Sequence, residues 1–216
     1  MSQTMAQTAL DLQTSASPDT SGLLMADMGS NSGQIPCNDL NPFNGLQSMN
    51  GSVDSNQNHE NFLTRLNSYC DLIIRDLNEF GFCVIDDFLE NGSEILSEVI
   101  LMYTNGRFKA GQVVNNKVMD THMIRGDHIA WVDGTEQDSF NIGFLIQSLD
   151  YIIMRCNTSH TSGELSKYMI KRRTKAMIAC YPGNNSKYVR HIDNPNNDGR
   201  CVTCIYYLNK DYNREV

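Results

Sequence analysis

The chain lacks the features that define several common classes of protein. No apolar run approaches the roughly 18 residues that a membrane span needs, and the N-terminus has neither the basic start nor the apolar block of a secretory signal. Basic residues are not in excess, since 17 Lys and Arg stand against 25 Asp and Glu, for a net charge of −8. We therefore expect a protein of the cytoplasm, the nucleus or both, with no nucleic acid and no membrane among its partners.

Cysteine is present, but its pattern does not favour disulfides. The seven cysteines are an odd number scattered through a chain without an export signal, which is typical of free thiols. Cys201 and Cys204 form a CxxC inside CVTCIYYL, a predicted strand in which residues three apart point to opposite faces. No second CxxC or close Cys/His pair completes a zinc site, so we do not expect one here.

The first 58 residues lack Lys and Arg altogether, and Phe43 is their only aromatic residue. A segment built from Ser, Asn, Gln, Thr, Gly and Asp cannot bury enough apolar surface to offset the entropy lost on ordering. We predict an acidic disordered tail over residues 1–58. Residues 59–216 are long enough for one domain with a single core.

The predicted domain begins with helices and ends with strands. Apolar residues recur at helical spacing in three segments: 60–81, 91–106 and 140–155. β-Branched and aromatic residues predict strands at 82–88, in two short pieces within 121–132, and at 176–181, 188–193 and 201–208. This order indicates an α+β domain with helices packed on a β-sandwich or barrel.

His191 and Asp193 are the main candidates for chemistry. They stand two residues apart at the end of a predicted strand, so both side chains project to one side and can bind one cation. An imidazole and a carboxylate are two of the three protein ligands in the facial triad of non-haem Fe(II) oxygenases. The pattern alone also fits a surface histidine beside a turn-forming Asp-Asn-Pro, or a β-sandwich in which the HxD is incidental.

The sequence around this pair resembles a known enzyme family. Residues 173–212, RTKAMIACYPGNNSKYVRHIDNPNNDGRCVTCIYYLNKDY, are closely similar to the catalytic core of the hypoxia-inducible factor prolyl hydroxylases. Upstream, RGDHIAWVDG at 125–134 resembles their mobile loop near the substrate, and residues 60–88 resemble their first helix and strand. The resemblance covers about residues 60–216 and does not reach the tail.

The resemblance implies a fold and a reaction. The fold is a double-stranded β-helix, or jelly-roll, flanked by N-terminal helices. The reaction is the hydroxylation of a proline in the α subunit of the hypoxia-inducible factor, with Fe(II), 2-oxoglutarate and O₂ as cofactor and co-substrates and ascorbate as reductant. Oxygen sensing is the implied role.

The resemblance also implies roles for individual residues. His191 and Asp193 match two iron ligands, and Tyr181 and Tyr207 match tyrosines that contact 2-oxoglutarate. Three charged residues match positions on substrate-facing loops: Arg125, Asp127 and Arg200. From the residues alone, a core role with a locally satisfied hydroxyl is the preferred interpretation of each tyrosine, and the three charges are equally open to a role on an ordinary surface.

The family pattern includes a later histidine ligand and an arginine for 2-oxoglutarate, on strands beyond the HxD. No histidine follows Asp193, and the sequence stops at Val216. We therefore expect a catalytic domain that is incomplete at its C-terminus, with doubtful activity. Two hypotheses follow: an oxygen-sensing prolyl 4-hydroxylase, or a non-catalytic shortened isoform that binds the hypoxia-inducible factor or a sister hydroxylase as a competitor.

Overall fold

The computed structural model describes residues 53–111, 126–183, 186–194 and 198–209, with side chains from Glu60 onward, and the backbone alone of residues 7–16 and 35–36. The helices are α1 (Val53–Glu79), α2 (Gly92–Thr104), α3 (Phe140–Thr158) and a 3₁₀ helix at Gly163–Lys167. The strands are β1 (Gln7–Ala16), β2 (Ile35–Pro36), β3 (Lys109–Ala110), β4 (His128–Val132), β5 (Ile170–Arg173), β6 (Ala176–Tyr181) and β7 (Arg200–Tyr207). The α+β class expected from the sequence is confirmed at this level.

The three predicted helices are present because each has one apolar face to bury. Along α1, Leu66, Cys70, Ile73 and Ile74 recur at three- and four-residue steps and all lie in the core. The helix ends before Gly81, which adopts a φ of +77° that favours glycine. None of the described helices is long and apolar enough to cross a membrane.

Antiparallel pairing joins the strands into one sheet. β4 pairs with β6, with Ile129 opposite Ala179 and Val132 opposite Ala176. β5 and β6 follow each other along one edge of β1, and β7 lies along its other edge. β1 therefore separates β6 from β7.

The two faces of the sheet have different surroundings. Val132, Ala176 and Ile178 are fully buried in the core that the sheet forms with the helices. Alternate residues of the same strands point the other way, and Trp131, Ile205 and Tyr207 there are 41%, 50% and 61% exposed. We call these the helix face and the open face.

A buried ion pair lies beneath α3, between the sheet and the helix. Arg173 Nε donates to Asp150 Oδ2 at 2.8 Å, and both side chains are at most 5% exposed. The same guanidinium donates through Nη1 to the Thr174 carbonyl and through Nη2 to the Asp133 carbonyl, each at 3.1 Å. Burial raises the pKa of the Asp150 carboxyl, and the charge and hydrogen bond of Arg173 act in the opposite direction.

Residues 7–16 form β1 inside the segment 1–58, for which disorder stays a prediction. Composition averaged over 58 residues conceals this ten-residue segment, QTALDLQTSA, whose backbone pairs along both of its edges. The edges of β6 and β7 carry backbone N–H and C=O groups, and an extended segment between them can form hydrogen bonds with both strands. The helical domain also begins earlier than expected, since α1 starts at Val53.

Two of the predicted strands do not form. Residues 82–88 run as turns and irregular chain, with Phe82 and Val84 exposed and Phe88 buried, and Asp87 has a φ of +52° that strand geometry excludes. Residues 188–193 contain only an isolated bridge at Tyr188. Their polar side chains bond to nearby groups, which competes with a strand ladder.

Candidate functional site

The chain between β6 and β7 carries the candidate metal ligands. Its start lies against the residues that precede β4, because Gly126 N–H donates to the Lys187 carbonyl at 3.0 Å. A Cβ at position 126 would stand 3.1 Å from Ser186 Cβ, so this approach favours glycine. The predicted substrate loop and the HxD segment therefore meet at this point.

The structure brings His191 and Asp193 together. His191 Nε2 lies 3.1 Å from Asp193 Oδ1, and each side chain is 39% exposed. The other carboxylate oxygen, Oδ2, accepts a hydrogen bond from Thr203 Oγ1 of β7 at 3.0 Å. The pair is thus held on one side by the sheet and is open to solvent on the other.

Two neighbours orient the imidazole. Its Nδ1 lies 2.9 Å from the Val189 carbonyl oxygen, and its ring stacks on Tyr188 with centroids 3.7 Å apart and an interplanar angle of 21°. A carbonyl oxygen can only accept, so Nδ1 carries a proton and Nε2 faces the carboxylate. Nε2 and Oδ1 both carry lone pairs, so one cation placed between them could be bound by both atoms.

This donor set fits part of a ferrous site. An imidazole whose Nδ1 is bonded to a carbonyl, and a carboxylate fixed by a hydroxyl, are the arrangement that metal ligands and their supports usually show. Within the described ranges, no group of three or more His, Cys, Asp and Glu residues is placed to hold one ion. Among the described residues, His191 and Asp193 offer one imidazole and one carboxylate, whereas a facial triad has three protein donors.

Tyr181 and Tyr207 share the open face of the sheet. Tyr181 is opposite Gln7 and Tyr207 is opposite Ala9, and these positions are two apart on β1, so both tyrosines point to the same side. Thr203, which bonds to Asp193, also lies on this side. Two strand spacings separate the tyrosines laterally, roughly 9–10 Å, so any molecule that both contact must span that gap.

The structure describes two of the three predicted substrate residues, Asp127 and Arg200. Asp127 is placed at the junction described above but is only 2% exposed. Arg200 is paired with Asp198, with Nε 2.9 Å from both carboxylate oxygens. Although partial burial alone would raise the pKa of Asp198, the hydrogen bonds and charge of Arg200 bring it below its usual value. Arg125 lies outside the described residues, and the substrate roles of all three stay predictions.

The sequence pattern did not identify the residues that hold the ligand pair in place. Tyr188 was assigned to a strand, and the Val189 carbonyl carries no sequence signal. Thr203 is the exception, because it is an even number of residues from Tyr207 on a predicted strand and shares its face. Its hydroxyl therefore lies on the side of the sheet where the segment with His191 and Asp193 runs.

No protein-family model matches the chain, but individual curated proteins do. It is 51% identical over 146 residues to Egl nine homolog 1 of Mus musculus, covering 67% of this chain and 35% of that protein. It is 42% identical over 147 residues to prolyl hydroxylase EGLN3 of Rattus norvegicus, covering 67% of this chain and 59% of that protein.

A solved structure of a prolyl hydroxylase is also similar to the chain. A prolyl hydroxylase from Trichoplax adhaerens, in complex with a peptide fragment of the hypoxia-inducible factor oxygen degradation domain, matches with a TM-score of 0.58 and 42% identity, covering 64% of this chain and 61% of that one. The chain thus spans between one third and three fifths of these proteins. Sequence and structure agree that the chain belongs to the family of hypoxia-inducible factor prolyl hydroxylases.

Proposed function

We propose that the chain carries part of a 2-oxoglutarate- and Fe(II)-dependent prolyl 4-hydroxylase that acts in oxygen sensing. The observation that carries the proposal is the His191–Asp193 pair, fixed by Val189 and Thr203 beside the open face of the sheet. We further propose that this sheet is one wall of a double-stranded β-helix. The open face would then line its interior.

Specific residues would perform specific tasks. Bound iron, together with 2-oxoglutarate and O₂, supplies the oxidising power for hydroxylation, and ascorbate keeps the iron ferrous. His191 Nε2 and Asp193 Oδ1 would hold the metal, and Thr203 would orient the carboxylate. Tyr181 and Tyr207 would donate their phenolic protons to the oxygens of 2-oxoglutarate.

The proposed protein partner is the proline-containing segment of the hypoxia-inducible factor α subunit. The Trichoplax relative binds a peptide of that factor. In this chain, Ile192 and Val189 are exposed beside the ligand pair, and they offer an apolar surface for a proline ring. Asp127, Arg200 and Arg125 would shape the loops around it. We propose the cytoplasm or nucleus, or both, as the location of this encounter.

Metal binding is the direct test of the site. We expect the chain to bind Mn²⁺, a probe for Fe(II), and His191→Ala to weaken that binding by more than the roughly 10–100-fold that loss of a supporting residue causes. Thr203→Val should fall within that range. Isothermal titration calorimetry measures all three proteins. His160→Ala, which removes an exposed histidine elsewhere, is the matched control, and equal affinities for His191→Ala and His160→Ala would refute the site.

A second function is favoured by the count of donors. Because the described residues provide two donors and not three, a non-catalytic protein that binds the factor or a sister hydroxylase as a competitor is the alternative. The two functions differ in one measurement. Succinate formation coupled to hydroxyproline in a peptide of the factor supports the enzyme, whereas peptide binding without succinate, and inhibition of an active hydroxylase, supports the competitor.

A further inference from the structure

Two cysteines far apart in sequence meet where α1 packs against α3. Cys156 Sγ lies 3.9 Å from the carbonyl oxygen of Cys70, so the Cys156 thiol packs directly against Cys70. Cys70 is 6% exposed and Cys156 is fully buried. Both are reduced in the structure, and neither belongs to the candidate metal site.

A pocket of about 470 Å³ borders Cys70. Most of its other lining residues are exposed and polar: Asn67, Asp71, Arg155, Thr158, Ser159 and His160. Cys156 is fully buried and does not line the pocket, so of the two residues Cys70 alone borders the space that a small reagent can enter.

The surroundings of the two sulfurs favour different protonation states. The hydrogen bond from Cys156 lowers the pKa of Cys70; burial opposes this, and the positive charge of Arg155 assists it. The pKa of Cys156 is raised by the hydrogen bond to Cys70 and by burial. Of the two thiols, Cys70 is therefore the more readily ionised and the better nucleophile.

We propose that Cys70 and Cys156 form an oxidation-sensitive pair, in which a peroxide oxidises Cys70 and Cys156 then closes a disulfide. The Cys70 thiolate attacks one peroxide oxygen: the O–O bond breaks, an S–O bond forms, sulfur loses two electrons, and the other oxygen leaves as water after taking up a proton. Cys156 then attacks the Cys70 sulfur. The S–S bond forms, the S–O bond breaks, and the thiol proton leaves with the hydroxyl as water.

The disulfide would join the two longest described helices. α1 and α3 carry much of the core on which the helix face of the sheet rests. The linkage would change how these helices move against each other without touching His191 or Asp193. A thiol reductant reverses it, so the pair would report the redox state of the surroundings.

Peptide mapping of the full chain after brief exposure to hydrogen peroxide tests the proposal. We expect two of the seven thiols to become resistant to alkylation, one cross-linked peptide containing Cys70 and Cys156, and complete recovery with dithiothreitol. In Cys156→Ser, Cys70 should stop at the sulfenic acid, which dimedone traps. Cys201→Ser, which removes a cysteine outside the pair, should behave as the wild type.

Three results would overturn the pairing. One is a cross-link from Cys156 to Cys83 or Cys204 in place of Cys70. Another is oxidation of Cys70 no faster than that of Cys83, whose pKa burial raises to about 11. The third is two resistant thiols in Cys70→Ala. Because the mapping is done first on the wild-type chain, a variant that folds poorly does not remove the test.

Discussion

The helix face and the open face of the sheet are made by alternate residues of the same strands, yet they differ in how far their side chains are buried. Ile178 on the helix face is fully buried, whereas Ile205 on the open face is half exposed. The hydrophobic effect scales with apolar area removed from water, so most of the stability arises on the helix face. The open face is more exposed and carries Tyr181, Tyr207 and the contact to Asp193, which are the residues to which we assign a ligand-binding role. Under that proposal, alternate residues of one strand serve stability and chemistry separately.

The largest expected effect comes from the charge pair at the helix face. Arg173→Met leaves the Asp150 carboxylate buried without its partner, and breaking such a pair costs about 3–5 kcal/mol in the free energy of unfolding. Urea denaturation followed by circular dichroism measures this loss. If Arg173→Met lowers the free energy of unfolding by no more than a substitution on the open face does, the helix face does not provide most of the stability.

The double variant Arg173→Met/Asp150→Leu is the control for that experiment. It removes both charges and replaces them with apolar side chains of similar size, so most of the lost stability should return. A double variant as unstable as the single one would show that the backbone contacts of Arg173 to Thr174 and Asp133, and not the charge pair, are responsible.

A matched pair of isoleucines sharpens the comparison. Ile178→Ala should cost about 2–5 kcal/mol, because it leaves a cavity in the core. Ile205→Ala removes the same atoms from a half-exposed position and should cost less than about 1 kcal/mol. Thermal and urea unfolding of both variants measure the difference. Equal losses would mean that the open face is covered in solution by a part of the protein outside the described residues.

The smallest expected effect is a dependence on pH at the end of β4. The hydrogen bond from Thr135 lowers the pKa of Asp133; partial burial opposes it, and Lys175 assists. A carboxyl whose folded pKa lies below its unfolded value of about 3.9 contributes stability above that pH, which is lost as the pH falls through the folded pKa.

Asp133→Asn should therefore flatten the acid limb of the stability curve below about pH 4. Thr135→Val, which removes the main cause of the lowered pKa, should flatten the same limb while keeping the carboxyl. Denaturant unfolding at a series of pH values measures both. An acid limb as steep in Asp133→Asn as in the wild type would show that other carboxyls produce it.

Local patterns in the sequence predicted the helices and the strands β6 and β7 well. α1, α3, β6 and β7 follow from apolar spacing and β-branched runs, and their burial agrees with that spacing. The segments 82–88 and 188–193 have strand-like composition but find no continuous partner strand among the described residues. A strand requires a neighbour, and composition carries no information about neighbours.

The ligand pair was predicted for a partly wrong reason. His191 and Asp193 were expected to share a side because a strand alternates, but they lie on an irregular segment. Their convergence arises from bonds of the imidazole to Val189 and of the carboxylate to Thr203. A spacing of two residues can bring the side chains together in a strand and also in this irregular segment. The prediction that His191 and Asp193 lie close together is therefore confirmed.

Residue order alone was enough to determine which faces of the helices and strands are apolar and to single out candidate residues for the chemistry, because periodicity and side-chain type are local properties of the chain. Long-range packing decided the rest: that β1 separates β6 from β7, that Thr203 supports Asp193, and that Cys70 meets Cys156. These contacts join residues distant in sequence, and such pairings depend on the shape and free backbone groups of the assembled core.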